Sequence, residues 1–344
     1  MRKFTGTLAI LAALLASGYA LAQDKPIVWR YQTTLVETRQ EMEPIREWAK
    51  RIGEASKGRL KIELYYGGAL GINQSDELRA VRQGAVEAAQ PYFGYLARDL
   101  PEASLAVVQG ALLTPDEAVK VAPTIQAIFK DAYEKWNAKV IAWQMSPIFD
   151  MSIMCKEPID TLAKLKGKKL RVWSREQVDA YGKLGVAAQI IPQNDTYMAL
   201  QTGVVDCAIY VLGNAKTVSF QEVTKYSSQL HTFAATPNPI IVNAKIWAEL
   251  PDDLKKVVLD AGEWLRKTSL DIAKSGPETK EREAQAEFAK TGQVKVLSPF
   301  PAEDKKRFYD AVLEVWKDRA AEKGAKAMEY REQMIAALQK IRSQ

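Results

Sequence analysis

The stretch Leu165–Ala208, LKGKKLRVWSREQVDAYGKLGVAAQIIPQNDTYMALQTGVVDCA, decides the fold. Its internal order is that of a βαβαβ unit able to bind an anion. The strand Lys169–Trp173 ends in polar residues just as a helical pattern begins, which is where open α/β sheets place their ligands. Arg171 stands near that carboxyl end. An arginine there presents a planar fork of donors, which suits a carboxylate better than the point charge of a lysine. The alternative at this point is a surface arginine on a solvated strand end.

Upstream of this unit the chain alternates strand and helix. Ile27 to Thr34 reads as a strand, and Arg39 to Glu54 as a helix with Met42, Ile45, Trp48 and Ile52 on one face. Arg59 to Tyr66 returns to strand alternation, and Ser75 to Ala88 reads as a helix capped by Ser75 after the turn Gly67–Gly71. This rhythm predicts a parallel sheet covered by helices. Helix resumes over Pro115–Asn137, followed by strand over Ala138–Phe149 and extended chain over Met151–Ile159. Downstream, Tyr197–Gly203 is a short helix, Val204–Val211 a buried strand, Asn214–Tyr226 helical and Pro239–Val242 extended. Helix dominates from Asp252 onward, interrupted by the strand Val294–Leu297.

The first residues carry an export signal: basic Met1-Arg2-Lys3, apolar Leu8–Ala16 and the small-x-small site Ala20-Leu21-Ala22, so that Gln23 begins the mature chain. The apolar run is shorter than the roughly 20 residues a membrane span needs. A periplasmic protein is expected. With 344 residues the mature chain fits two lobes of about 150 residues each, and 47% hydrophobic content fills two cores. The formal charge of +6 falls to +4 once Arg2 and Lys3 are removed, and acids and bases alternate along the helices. This argues against nucleic acid, which demands a basic patch or stripe. No flexible linker separates the halves, so the chain crosses between lobes through strands, and lobes joined that way hinge about a cleft.

Cys155 and Cys207 are the two cysteines. An oxidising compartment permits them to pair, and two buried free thiols are the alternative. A single histidine, His231, and no cysteine cluster leave no ligand set for a transition metal, so no metal site and no cofactor is expected and His231 is assigned a structural part.

Several segments, in order, carry a family resemblance: Gly58-Arg59-Leu60-Lys61-Ile62 with Gly68-Ala69-Leu70-Gly71, then Leu165-Lys166-Gly167-Lys168-Lys169-Leu170-Arg171-Val172, then Tyr197–Asp206 (YMALQTGVVD), then Trp247-Ala248-Glu249-Leu250-Pro251. Over nearly the whole mature chain it resembles the solute-binding subunit of tripartite ATP-independent periplasmic (TRAP) transporters, of the dicarboxylate-receptor (DctP) type. The resemblance implies an α/β, two-lobed periplasmic-binding-protein (type II-like) fold with a long domain-spanning helix and a cleft between lobes. It implies a receptor and not an enzyme, capturing a small organic acid and passing it to the small and large membrane subunits of an ion-gradient-driven permease. The division expected is a signal peptide over 1–22, lobe I over 23–148 plus 237–276, and lobe II over 149–236 plus 277–344 with the C-terminal helices. A monomer is expected, since no sustained heptads appear.

The same resemblance places the ligand's carboxylate on Arg171. Further contacts are implied at Thr34, Asn73, Tyr92, Phe93, Tyr95, Trp173, Ser174, Arg175, Gln193 and Asn238; each of these could instead be a turn or packing residue. Two departures stand out. Tyr210 occupies a position where many members carry an asparagine, and Met151 one where members that bind highly polar acids carry a second arginine or a glutamine. Tyr92, Phe93, Tyr95, Met151, Trp173 and Tyr210 would then surround Arg171, the one fixed charge, with flat and polarizable surface. That pocket favours a monocarboxylate with an apolar or aromatic body, or a 2-oxo or 2-hydroxy acid. Two rivals share the cleft: a periplasmic lyase or isomerase acting on a carboxylate, and a binding protein serving a sensor kinase or an ATP-driven importer. The enzyme lacks a general base, since Asp150 and Asp206 are the nearest candidates and Asp206 reads as structural.

Overall fold

The computed structural model describes residues 25–146, 150–232, 236–275 and 277–344. The export signal expected over 1–22 lies outside them. Among the described residues the strands are β1 (Ile27–Gln32), β2 (Leu60–Tyr65), β3 (Ala88–Ala89), β4 (Ala138–Met145), β5 (Asp150–Cys155), β6 (Lys169–Val172), β7 (Ala187–Ile190), β8 (Cys207–Val211), β9 (Tyr226–Thr232), β10 (Pro237–Asn243) and β11 (Lys295–Val296). They form two sheets, ordered β2-β1-β3-β10-β4 and β11-β9-β5-β8-β6-β7.

The sheets are mixed, which corrects the parallel sheet expected from the βα rhythm. β1 is parallel to β2 and β3, and β6 to β7 and β8, as crossover helices require. β10 runs antiparallel to β3 and β4, and β5 antiparallel to β8 and β9. The reason is the passage between lobes. β4 leads out of the first sheet towards β5 and β9 leads back to β10, so outgoing and returning strands lie side by side and opposed.

A third connection is helical. The helix Asp252–Ser275 packs on β4 and on the helix Met42–Ala55, whereas Pro277–Thr291 packs on Leu212–Val218 and β11 of the second sheet. Gly262 sets how closely the long helix lies on β4: a Cβ there would stand 2.5 Å from the Ile141 carbonyl oxygen and 3.1 Å from Ala142 Cβ. At the C-terminus Ala302–Lys323 packs on Arg175–Lys183, and Ala325–Arg342 on Pro115–Glu134. No helix among the described residues is long and apolar enough to cross a membrane.

The decisive unit folds as its sequence demands. β8 is buried along its whole length and β6 from Leu170 onward, whereas β7 is mostly exposed, as the last strand of its sheet. Asp206 joins the feet of β6 and β8: its Oδ2 accepts from the Lys169 N–H at 2.8 Å and its own N–H donates to the Lys169 carbonyl at 2.9 Å. Cys155 and Cys207 stand opposite each other in the β5–β8 ladder, with Cα atoms 4.2 Å apart, and are joined as a disulfide. Of the two thiol states open to the sequence, the oxidised one is present. His231 stacks on Phe308, ring centres 4.8 Å apart.

Two helices differ from expectation. In place of Ser75–Ala88 there is a 3-10 turn, Gln74–Asp76, followed by a short helix, Glu77–Gln83, that ends at Gly84 with φ 73°. The cap is Asn73, whose Oδ1 accepts from Ser75 N–H at 3.0 Å. Asn214–Tyr226 is not one helix: Leu212–Val218 is 3-10, Ser219 takes a left-handed φ of 57°, and only Phe220–Val223 is α-helical before β9.

Candidate functional site

The order β7-β6-β8 sends successive crossovers to opposite sides of β6, and the crevice so opened lies above the carboxyl ends of β6 and β8. Arg171 lines a cavity of about 110 Å³ there, with walls drawn from both sheets. Only 1% of Arg171 is exposed, which removes the solvated-strand-end alternative. Its Nε donates to the Ile191 carbonyl at 2.8 Å, Nη1 to the Ile209 carbonyl at 3.3 Å and Nη2 to the Tyr95 hydroxyl at 3.5 Å. The guanidinium carbon sits 5.4 Å from the Trp173 ring centre. Burial lowers its pKa, opposed only by Tyr95, Tyr210 and Tyr92, and an arginine so placed is still charged at neutral pH. No carboxylate pairs with Arg171 among the described residues.

The Tyr95 hydroxyl is surrounded by donors. Its oxygen accepts from Arg171 and, at 3.2 Å, from the Gln193 backbone N–H. Both neighbours are donors, so the phenol's own proton points to no acceptor among the described residues. Burial raises its pKa while Arg171 and Gln193 oppose the rise, which keeps the hydroxyl protonated.

Across the cavity stands an ion pair that the sequence reading missed. Arg39 is 8% exposed and holds Glu41 with two hydrogen bonds, Nε to Oε2 at 3.1 Å and Nη2 to Oε1. Its Nη1 donates to the Tyr210 hydroxyl at 3.0 Å, linking the two walls. Burial disfavours the Arg39 charge, but Glu41 and Tyr210 outweigh it and the pKa is raised. Arg171 is therefore not the one fixed charge of the site. Arg39 and Glu41 both line the cavity, and because they cancel, the net charge remains that of Arg171.

Of the expected residues, Thr34, Tyr92, Tyr95, Arg171, Trp173, Gln193, Tyr210 and Asn238 come together on this cavity. Tyr92 and Tyr95 meet edge to face at 5.6 Å. Gly94 makes room for them, since a Cβ there would lie 2.7 Å from Tyr92 Cε1 and 3.3 Å from Trp173 Cδ1. Asn238 Nδ2 donates to Ser146 Oγ at 2.7 Å. Five expected residues lie elsewhere. Phe93 is core, its ring 5.6 Å from Phe129. Met151 is fully buried in β5, in register with Val211 and His231. Ser174 accepts from Gln177 N–H as the cap of Arg175–Lys183, Arg175 is exposed and pairs with Asp179 at 3.3 Å, and Asn73 spends its side chain on Ser75.

Leu35, Arg39, Glu41, Gln90, Ser146 and Val211 also line the cavity and were not anticipated. Two bonds close the mouth between the walls: Gln193 N–H to Gln74 Oε1 at 3.2 Å and Asn194 Nδ2 to the Gly67 carbonyl at 2.8 Å. Among the described residues no group of three or more His, Cys, Asp or Glu side chains could hold a metal ion.

Several known proteins are similar to this chain. A solute-binding protein of Albidiferax ferrireducens is 26% identical over 235 residues, covering 67% of this chain and 68% of its own. A Bordetella pertussis extracytoplasmic solute receptor, DctP7, which binds pyroglutamic acid, superposes with a TM-score of 0.79 at 19% identity, covering 91% of this chain and 99% of its own. A TRAP periplasmic solute-binding protein from Sulfurospirillum deleyianum with bound succinate superposes with a TM-score of 0.80 at 21% identity, covering 90% and 99%. The family model described as bacterial extracellular solute-binding protein, family 7 (DctP), matches residues 32–323. The chain therefore belongs to the DctP family of TRAP-type extracellular solute-binding proteins.

Proposed function

We propose that the acid captured by this receptor is a monocarboxylate, held on Arg171 and Tyr95 against aromatic rings, in the periplasm of its cell. As a TRAP-type receptor the protein binds a small organic acid and delivers it to a membrane permease, without transforming it. Arg171 is the observation that carries the finer reading. It is a sealed cation whose protein partners are two carbonyls and a phenol. A carboxylate would accept from the guanidinium fork and from the proton of Tyr95, and such charge-assisted bonds contribute about 1.5–3 kcal/mol each.

Charge balance supports one carboxylate over two. Arg39 is already neutralised by Glu41, and a second carboxylate would meet Glu41 on the same wall. Tyr92, Tyr95, Trp173 and Tyr210 supply flat surface for the rest of the molecule. The cavity has room for roughly seven to eleven water-sized groups, the size of a small acid. The relatives above bind pyroglutamic acid in one case and succinate in the other, so the shared fold leaves the number of carboxylates to local residues.

Thermal melting of the purified mature chain against mono- and dicarboxylates, with mass spectrometry of whatever copurifies, tests this. A monocarboxylate is expected to raise the melting temperature and to be recovered unchanged. Consumption of the ligand would overturn the receptor reading, and stabilisation by dicarboxylates alone would overturn the monocarboxylate.

A further inference from the structure

Two hydrogen-bond relays end at the cavity, and in each one atom of a glutamine is left over. In the first, Gln144 Nε2 donates to the Glu41 backbone carbonyl at 2.5 Å. A carbonyl can only accept, so the orientation of Gln144 is set and its Oε1 faces Gln90. Gln90 Nε2 donates to that oxygen at 2.9 Å. Gln90 is 6% exposed and lines the cavity, and its Oε1 accepts no bond among the described residues. The relay therefore ends in an acceptor.

The second relay ends in a donor. Arg39 can only donate, so the Tyr210 oxygen accepts from it at 3.0 Å, and the Tyr210 proton goes to Gln193 Oε1 at 3.4 Å. Gln193 Nε2 remains, a buried donor with no partner among the described residues. The Arg39–Glu41 pair thus orients one amide through a guanidinium N–H and the other through a peptide carbonyl.

Taking the carboxylate on Arg171 as already argued, we infer that the ligand also carries both a hydrogen-bond donor and a hydrogen-bond acceptor on its body, as a 2-hydroxy acid or a lactam acid does. A 2-oxo acid satisfies Gln193 Nε2 and leaves Gln90 Oε1 facing nothing. An unsubstituted acid leaves both. Sites whose buried polar groups lose their partners reject the deficient ligand, here by about tenfold or more per unmet group. Gln90 and Gln193 are thereby specificity determinants.

Isothermal titration of the mature protein with matched acids tests this: mandelate, phenylglyoxylate and phenylacetate; lactate, pyruvate and propanoate; pyroglutamate and cyclopentanecarboxylate. In at least one set the hydroxy or lactam acid is expected to bind tenfold or more tighter than its oxo or unsubstituted counterparts. Gln90→Met should close the gap between hydroxy and oxo acids, while Gln193→Met weakens both alike. An oxo or unsubstituted acid that equals the hydroxy or lactam acid, with binding still lost in Arg171→Met, overturns the inference and leaves the carboxylate anchor standing. Binding that survives in Arg171→Met, or no binding by any of these acids, overturns the anchor itself and the inference with it. The wild-type series does not depend on the folding of any variant.

Discussion

The two walls of the cleft each bury an arginine and treat it in opposite ways. Arg39 on the first wall is 8% exposed and is neutralised two residues away by Glu41; Arg171 on the second is 1% exposed and donates its hydrogen bonds only to carbonyls and a phenol. A buried pair is self-contained, and its work is to hold Tyr210 and, through Gln144 and Gln193, to orient amides. A buried unpaired cation is a demand for an anion. On the proposed reading the same residue type serves architecture on one side and capture on the other, and what separates them is the presence of a carboxylate within reach.

Substitution should split the two. Arg39→Met leaves Glu41 buried without a cation and is expected to lower unfolding free energy by about 3–5 kcal/mol; adding Glu41→Met should recover most of that, read by urea denaturation. Arg171→Met is expected to weaken carboxylate binding by about 100-fold or more, near 3 kcal/mol, while the ligand-free protein loses no stability. An Arg171→Met protein that unfolds as readily as Arg39→Met would break the contrast.

A smaller effect sharpens the picture of the first wall, which avoids bare charge even below its surface. Glu77 is fully buried, and burial pushes its carboxyl up to about 8, opposed by one hydrogen bond from Gln32 at 3.1 Å. The folded state thus holds a proton that the unfolded chain releases near its ordinary value of 4.5. Its contribution to stability is full below that value and is lost as pH rises through about 8. The melting temperature should fall between about pH 5 and pH 8, and subtracting the profile of Glu77→Gln should isolate that fall. Equal profiles would show that Glu77 titrates alike in the folded and unfolded chains.

Arg171 and its strand were legible in the sequence because a strand that ends in polar residues just before a helical pattern, and the buried run after Gly203, are local signals. Arg39 was not. It reads as the first residue of an amphipathic helix, yet the helix begins at Met42, and Arg39 finds Tyr210 across 171 positions of sequence. At i and i+2 on a helix Arg39 and Glu41 would point apart; they meet because the chain turns before the helix starts. β9 was missed for a related reason. Tyr226–Thr232 carries serines where a strand usually shows branched or aromatic residues, and it is a strand because β5 lies beside it. Phe93 and Met151 lie in the core and not on the cavity, since an aromatic or a methionine is as useful to a core as to a pocket, and only packing separates the two uses.

On the proposed reading, in which an acid is captured between the walls, the sealed guanidinium of Arg171 would make closure of the cleft conditional on cargo. The bonds Asn194–Gly67 and Gln193–Gln74 join the walls, and bringing the walls together there would strip water from that cation whether or not an anion accompanied it. Without an anion, closure leaves a desolvated charge uncompensated; with one, the charge is cancelled in the same movement. On that reading the site would be an electrostatic interlock, in which the closed shape reports that a negative payload is aboard, and a membrane subunit recognising that shape would need no view of the ligand itself.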